Sequence, residues 1–132
     1  MREILFRGKR VDSGEWVVGS LVKMGLHDYV HHFILPDYAS AFYDIEVDPS
    51  TVGQYTGLTD RNGVKIFDGD IISIENPKPF SPRILQVTFE HASWMAGEID
   101  LESTVENWNC LIIGNVIDTP ELCKELRNAP TN

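Results

Sequence analysis

QYTGLTDRNGVKIFDGDIISIE, running from Gln54 to Glu75, decides how the rest of the chain is read. Asn62-Gly63 is the dipeptide that best accepts the positive φ angles of a tight hairpin turn, because Gly has no Cβ and Asn bonds locally. Asp60 and Arg61 lengthen the connection, so a loop of three to five residues with a bulge fits as well as a two-residue turn. Val64-Lys65-Ile66-Phe67 is too short and too β-branched for a helix. Asp68-Gly69-Asp70 breaks the run and Ile71-Ile72-Ser73-Ile74-Glu75 resumes it. With a period of two, Ile72 and Ile74 share one face, and Ile71, Ser73 and Glu75 share the other, so one face is expected buried and the other partly wet.

On the C-terminal side, Asn76 to Ser81 and Pro82 carry three prolines, which remove backbone donors and mark a loop. Arg83 to Glu90, RILQVTFE, alternates cleanly, with Leu85, Val87 and Phe89 facing one way and Ile84, Gln86 and Thr88 the other. The stretch from Val52 to Phe89 is thus expected to close a small sheet around Ile72, Ile74, Leu85, Val87 and Phe89. His91 to Glu98 contains a turn, Ile99 and Leu101 suit a further short strand, and Trp108 to Val116 is an apolar run interrupted at Gly114-Asn115. Thr119-Pro120-Glu121-Leu122 has the chemistry of a helix start: a capping hydroxyl, a proline for the first turn and an acid for the positive helix end. Leu122 and Leu126 then lie four apart, and Lys124 and Arg127 suit the negative end.

On the N-terminal side, Arg2 to Arg7 suits a first strand and Trp16 to Val22 its hairpin partner, with Asp12-Ser13-Gly14-Glu15 as the turn and Phe6 packed on Trp16. Gly19 within that strand implies a bulge or a close backbone approach. Tyr29 to Leu35, YVHHFIL, reads as a strand ended by Pro36. Tyr38, Phe42 and Tyr43 suit a loop or short helix over a core edge.

Three blocks carry a family resemblance. GQYTGLTDRNGVKIFDGDIISI, the opening from Arg2 to Val22, and Ile113-Gly114-Asn115-Val116 with Thr119-Pro120-Glu121-Leu122 stand in the order and spacing that resemble the YopX family. The long acidic and aromatic segment from Asp28 to Pro49 departs from that pattern. The resemblance implies a β-rich protein of bacteriophage or prophage origin. It implies no catalytic or binding residues.

The pattern as a whole predicts a mainly β protein. A small SH3-like barrel is expected, with an additional N-terminal hairpin or sheet and a short C-terminal helix. Residues 1–50 would form an N-terminal β subdomain and 51–132 a barrel-like one, or the two would make one compact domain. At 132 residues and 42% hydrophobic, the chain suffices for a genuine core. Its apolar runs fall far short of the roughly 20 residues that span a bilayer, and Met1-Arg2-Glu3 leads straight into a strand with no signal-peptide pattern, so a cytoplasmic protein is expected. Cys110 and Cys123 share no metal or redox spacing and are expected as reduced, buried thiols.

Eleven basic against 20 acidic residues give a net charge of −9, which disfavours sequence-independent nucleic-acid binding. The charge is uneven: Arg2, Arg7, Lys9, Arg10 and Lys23 make the N-terminus basic, whereas Asp28 to Asp60 holds no Lys or Arg. Solubility and pairing with the N-terminus account for the acidic segment; a surface for a basic partner is the sharper reading.

Catalytic and metal constellations do not emerge. His31 and His32 point to opposite faces of a strand, and His27 and His91 restore no ligand spacing. Asp60, Asn62, Asp68 and Asp70 invite a calcium loop, but glycine falls at position four and Ile71 where the loop needs glutamate, so turn formation explains them better. Asp68 with Asp70 lacks any feature that would shift their protonation. Cys110 lacks an activating base. No cofactor, metal or catalytic residue is expected. Two functions of different class remain. One is a phage or prophage accessory protein acting by protein–protein contact or self-association, with Trp94 and Trp108 as contact candidates that burial explains equally well. The alternative is a nucleic-acid-binding β-barrel module using Arg7, Lys9 and Arg10, with Lys65 and Arg83.

Overall fold

The computed structural model describes residues 3–26, 29–36, 45–75 and 83–124. The chain divides into two compact units, Met1–Tyr55 and Thr56–Asn132. The protein is mainly β, and every described strand pairing is antiparallel.

The first unit holds β1 (Phe6–Lys9), β2 (Trp16–Leu26), β3 (Tyr29–Pro36), β4 (Ile45–Val47) and the start of β5 (Gly53–Thr59), in the spatial order β4-β3-β2-β1-β5. β1 and β2 are joined by the turn that sequence predicts: Arg10 N–H donates to Glu15 O at 2.9 Å, and Gly14 N–H donates to Arg10 O at 2.9 Å. That turn length fixes the register, setting Lys9 opposite Trp16 and Phe6 opposite Gly19. Phe6 therefore does not pack on Trp16 as the sequence suggested; it joins Leu21 and Val52 around a core of Val17, Ile34, Ile45 and Val47. Gly19 is the expected close approach. A Cβ there would overlap the Leu35 carbonyl and come within 2.7 Å of its carbon.

β2 runs on to Leu26 and β3 returns from Tyr29, giving an unbroken register from Gly19↔Pro36 to Leu26↔Tyr29. β4 pairs only with His32 to Ile34 of β3, and β1 only with the first residues of β2. The far half of the β2–β3 ribbon thus has no described strand on either side. A 3₁₀ turn, Pro49–Thr51, follows β4; the Asp48 carboxylate accepts from Ser50 N–H at 3.0 Å and caps it.

The second unit holds the end of β5 beside β6 (Lys65–Phe67), then β7 (Asp70–Ile74), β8 (Arg83–Glu90), β9 (Ser93–Ala96), β10 (Ile99–Asp100), α1 (Leu101–Asn107) and β11 (Leu111–Asn115). Its five-stranded sheet has the order β10-β9-β8-β7-β11 and is open, since no pairing joins β10 to β11 among the described residues. Ile66, Ile72, Ile74, Leu85, Val87, Ala96, Leu101 and Cys110 form its core. Each fully buried Ile, Leu or Val side chain here contributes ~1.5–3 kcal/mol of apolar burial.

Four of the five residues expected around this sheet are buried. Phe89 is the exception at 55% exposed, because it lies at the tip of the β8–β9 hairpin, where it packs edge-to-face on Trp94 with ring centroids 4.9 Å apart. Ile71 is fully buried although it lies opposite Ile72 and Ile74, so β7 is covered on both faces. The short strand expected through Leu101 stops at Asp100 and turns into α1. The Asp100 carboxylate accepts from Ser103 N–H at 3.1 Å, and Leu101 and Thr104 form the buried stripe of the helix.

The expected C-terminal helix begins as a turn with i→i+3 bonds, Leu122 to Thr119 and Cys123 to Pro120, both at 3.0 Å. The Thr119 hydroxyl does not cap it; it donates to Asn115 O at 2.8 Å and accepts from Asn115 N–H at 2.9 Å. Leu126, Arg127, Tyr38, Phe42, Tyr43, His27 and the proline-rich segment 76–82 lie outside the described residues. Among the described residues no helix is long and apolar enough to cross a membrane.

Candidate functional site

Of the acidic residues that the sequence singled out, Asp60 and Asp70 both accept hydrogen bonds from backbone amides. Asp60 is buried beside the Asn62-Gly63 turn. Its Oδ1 accepts from Asn62 N–H at 2.9 Å and Val64 N–H at 3.0 Å, and its Oδ2 accepts from Ile112 N–H at 3.1 Å. The loop between β5 and β6 is thus the five-residue form, residues 60–64, with Gly63 at φ 80°. The Asp70 carboxylate accepts from Phe67 N–H at 2.7 Å across the Asp68-Gly69 turn. No group of three or more metal-ligating side chains gathers among the described residues.

Cys110 is buried in the core, and burial first, then the negative charges of Asp60 and Asp70, push its thiol up to about 11. A thiol whose burial opposes the thiolate packs here as a small apolar group of the second core. Cys123 is half-buried, and both cysteines are free thiols.

The basic residues singled out by sequence separate in role. Arg10 makes a two-pronged pair with Asp12, Nε to Oδ1 and Nη2 to Oδ2 at 2.8 Å each, which holds the Asp12 carboxyl below its ordinary range. Arg7 and Lys9 both lie over the Trp16 ring, with the guanidinium carbon 4.6 Å and the ammonium 5.3 Å from its centroid. Lys65 and Arg83 belong to the second unit, at the starts of β6 and β8. Trp94 and Trp108 both pack against the second core, which is the burial reading of each.

The feature that sequence did not expose is the outer face of the β2–β3 ribbon. Residues paired across an antiparallel ladder share a face. Val17, Leu21 and Ile34 therefore point into the first core. Their neighbours Trp16, Val18, Val22 and Met24 on β2 share the other face with Tyr29, His31 and Phe33 on β3. Glu46 of β4, opposite Phe33, lies on that face too. Tyr29, His31 and Phe33 form a ladder of rings with centroids 4.5 Å and 6.2 Å apart. His31 Nδ1 lies 2.7 Å from Glu46 Oε2, and His32 points to the opposite side, opposite Lys23.

This face is well supplied with apolar surface. Tyr29 is 64% exposed and Met24 42% exposed, and Val18 and Val22 are exposed beside them. Side chains of this size left to water side by side are a marker of a contact surface. The signal was hard to find in sequence because the alternation of YVHHFIL is blurred by its two histidines, and the second face of a strand looks wet or buried only once its neighbours are known.

Comparisons with known proteins agree with the described fold. The crystal structure of protein EF1440 from Enterococcus faecalis is similar over 92% of this chain and 99% of its own, with a TM-score of 0.59 and 23% identity, a likeness of fold alone. No curated protein matches the chain. The profile of the YopX family, described as YopX protein, matches residues 5–124. All three blocks of the resemblance fall almost entirely within that span, and the chain belongs to the YopX family.

Proposed function

We propose that this protein is a non-enzymatic accessory protein of a bacteriophage or prophage, working in the bacterial cytoplasm through protein–protein contact or self-association. The observation that carries the reading is the outer face of the β2–β3 ribbon, where Val18, Val22, Met24 and Tyr29 stand exposed together on one side. Two units each built on their own core, with the suspect polar groups spent on turns, favour a scaffold for contact over a reaction centre. An SH3-like barrel architecture for the second unit is part of the proposal. The β7-β8-β9 meander supports it, while the sheet remains open.

A photo-crosslinking amino acid placed at Met24, compared with one at the exposed Val64 of the second unit, tests the contact reading in host cells. A discrete protein adduct from Met24 and none from Val64 is expected. No adduct from Met24 would overturn it.

The second reading is nucleic-acid binding through Arg7, Lys9 and Arg10. It is favoured by the two cations gathered on Trp16. It is opposed by the net charge of −9 and by the Arg10–Asp12 pair. A gel shift at low salt that retards either DNA or RNA would revive it.

A further inference from the structure

We propose that Asn62-Gly63 is a site of spontaneous backbone modification, and that Asp60 sets its rate by holding the loop amides around it. The inference is independent of the contact reading above.

Asn62-Gly63 is the only Asn-Gly pair in the sequence. The reaction open to it is attack of the Gly63 backbone nitrogen on the Asn62 side-chain carbon, Cγ. A new N–Cγ bond forms and the Cγ–Nδ2 bond breaks. Ammonia departs with the amide proton and leaves a five-membered succinimide ring. Water then adds to one of the two ring carbonyls, and the C–N bond at that carbonyl breaks. One opening gives aspartate; the other gives its isomer, in which the main chain runs through Cβ and Cγ.

The loop exposes the electrophile and withholds the nucleophile. Asn62 is exposed, and its carboxamide holds no hydrogen bond among the described residues. Gly63 is exposed too, and apart from its chain neighbours nothing lies within 4 Å of where a Cβ would stand. Its nitrogen, however, donates to Asp60 O at 2.9 Å. The amides on either side, Asn62 N–H and Val64 N–H, donate to Asp60 Oδ1 at 2.9 Å and 3.0 Å. Three successive amides are thus tied to one residue. Attack requires Gly63 N–H to leave the Asp60 carbonyl, so the reaction runs from the opened loop. The bond from Ile112 N–H to Asp60 Oδ2 anchors that residue in the second unit and resists the opening.

The two products differ in what they do to the loop. Aspartate adds a charge and leaves the backbone length unchanged. The isomer adds one backbone atom between the two amides that share Asp60 Oδ1, which breaks their common fit. Because the same carboxylate holds Ile112 N–H, the isomer loosens the join between the β5–β6 loop and β11.

The test follows conversion at residue 62 by peptide mass spectrometry at mildly alkaline pH. It compares the folded wild-type chain, the same chain unfolded in guanidinium chloride, and the Asp60→Asn variant, with urea unfolding as a control on its fold. The folded wild type is expected to convert about ten- to a hundredfold more slowly than the unfolded chain. Asp60→Asn is expected to recover most of that difference. Equal rates for folded and unfolded wild type would overturn the proposal. So would a folded Asp60→Asn chain that converts no faster than wild type, or a folded wild type that never converts at Asn62. If Asp60→Asn does not fold, amide exchange of the wild type decides. Gly63 N–H should then be protected by about the factor that slows conversion, and an unprotected Gly63 amide would overturn the proposal. The isolated isomer should unfold at lower urea than an Asn62→Asp chain; equal midpoints would overturn the loosening of β11.

Discussion

Asp60 and Ile112, 52 residues apart in sequence, are joined by a 3.1 Å hydrogen bond from the Ile112 N–H to the Asp60 carboxylate. The other oxygen of the same carboxylate accepts from Asn62 and Val64 N–H. One buried side chain therefore shapes the β5–β6 loop and satisfies a backbone donor of β11. Arg61 N–H, donating to Cys110 O at 2.9 Å, reinforces the join.

Replacing Asp60 with Asn would aim an NH₂ group at amide donors and leave some of them unsatisfied. Each buried donor so orphaned costs ~1–3 kcal/mol. Asp60→Asn is expected to lower the stability of the second unit by about 2–4 kcal/mol in urea unfolding. A loss below about 0.5 kcal/mol would show that water replaces the carboxylate without penalty.

Gly19→Ala tests the first unit. The added Cβ meets backbone and not a flexible side chain, so β2 and β3 must part locally. A loss of about 3 kcal/mol or more is expected, together with faster amide exchange from Ser20 to Leu35. Unchanged exchange there would contradict the register.

The β8–β9 turn holds strain that substitution can release. His91 and Ala92 both have positive φ, 52° and 62°, in a two-residue connection between the paired Glu90 and Ser93. That geometry suits Asn-Gly, and a non-glycine residue in the left-handed region costs about 1 kcal/mol. Ala92→Gly is expected to raise stability by about 0.5–1 kcal/mol. A fall in melting temperature would contradict the turn geometry.

The Cys110 thiol gives a pH dependence with a definite sign. Unfolded, it loses its proton near the ordinary 9.0; folded, it holds that proton to about 11, because burial and then the charges of Asp60 and Asp70 oppose the thiolate. Its contribution is complete below pH 9 and is lost as the pH rises towards 11, since the unfolded chain then binds fewer protons than the folded one. Cys110→Ala should show a shallower fall in melting temperature over that window than the wild type. In native protein a thiol reagent should label Cys123 well before Cys110; equal rates would contradict the burial.

Much of the fold was legible because local chemistry and tertiary need agree. β7 and β8 keep a period of two in sequence, and Gly19 announced its close approach. The misses share one cause: they depend on what lies across from a residue. Phe6 loses Trp16 because the length of the Arg10–Glu15 turn sets the register. Phe89 continues the pattern of Leu85 and Val87 but sits past the edge of the core. Ile71 is buried because β7 is covered twice. The seven residues of α1 are too few for a helical period to outweigh the strand-like Ile99, although Asp100 and the spacing of Leu101, Thr104 and Val105 did carry its signal. The basic patch was legible as charge, but not that Arg7 and Lys9 converge on Trp16, nor that Arg10 turns away to Asp12.

Methyl NMR across a concentration series tests most directly whether contacts run through the ribbon. The signals of Met24, Val18 and Val22 are expected to shift or broaden as concentration rises, while those of Ile72 and Val64 stay fixed. Shifts confined to the second unit, at Ile113 or Val64, with the ribbon methyls unmoved, would contradict the account.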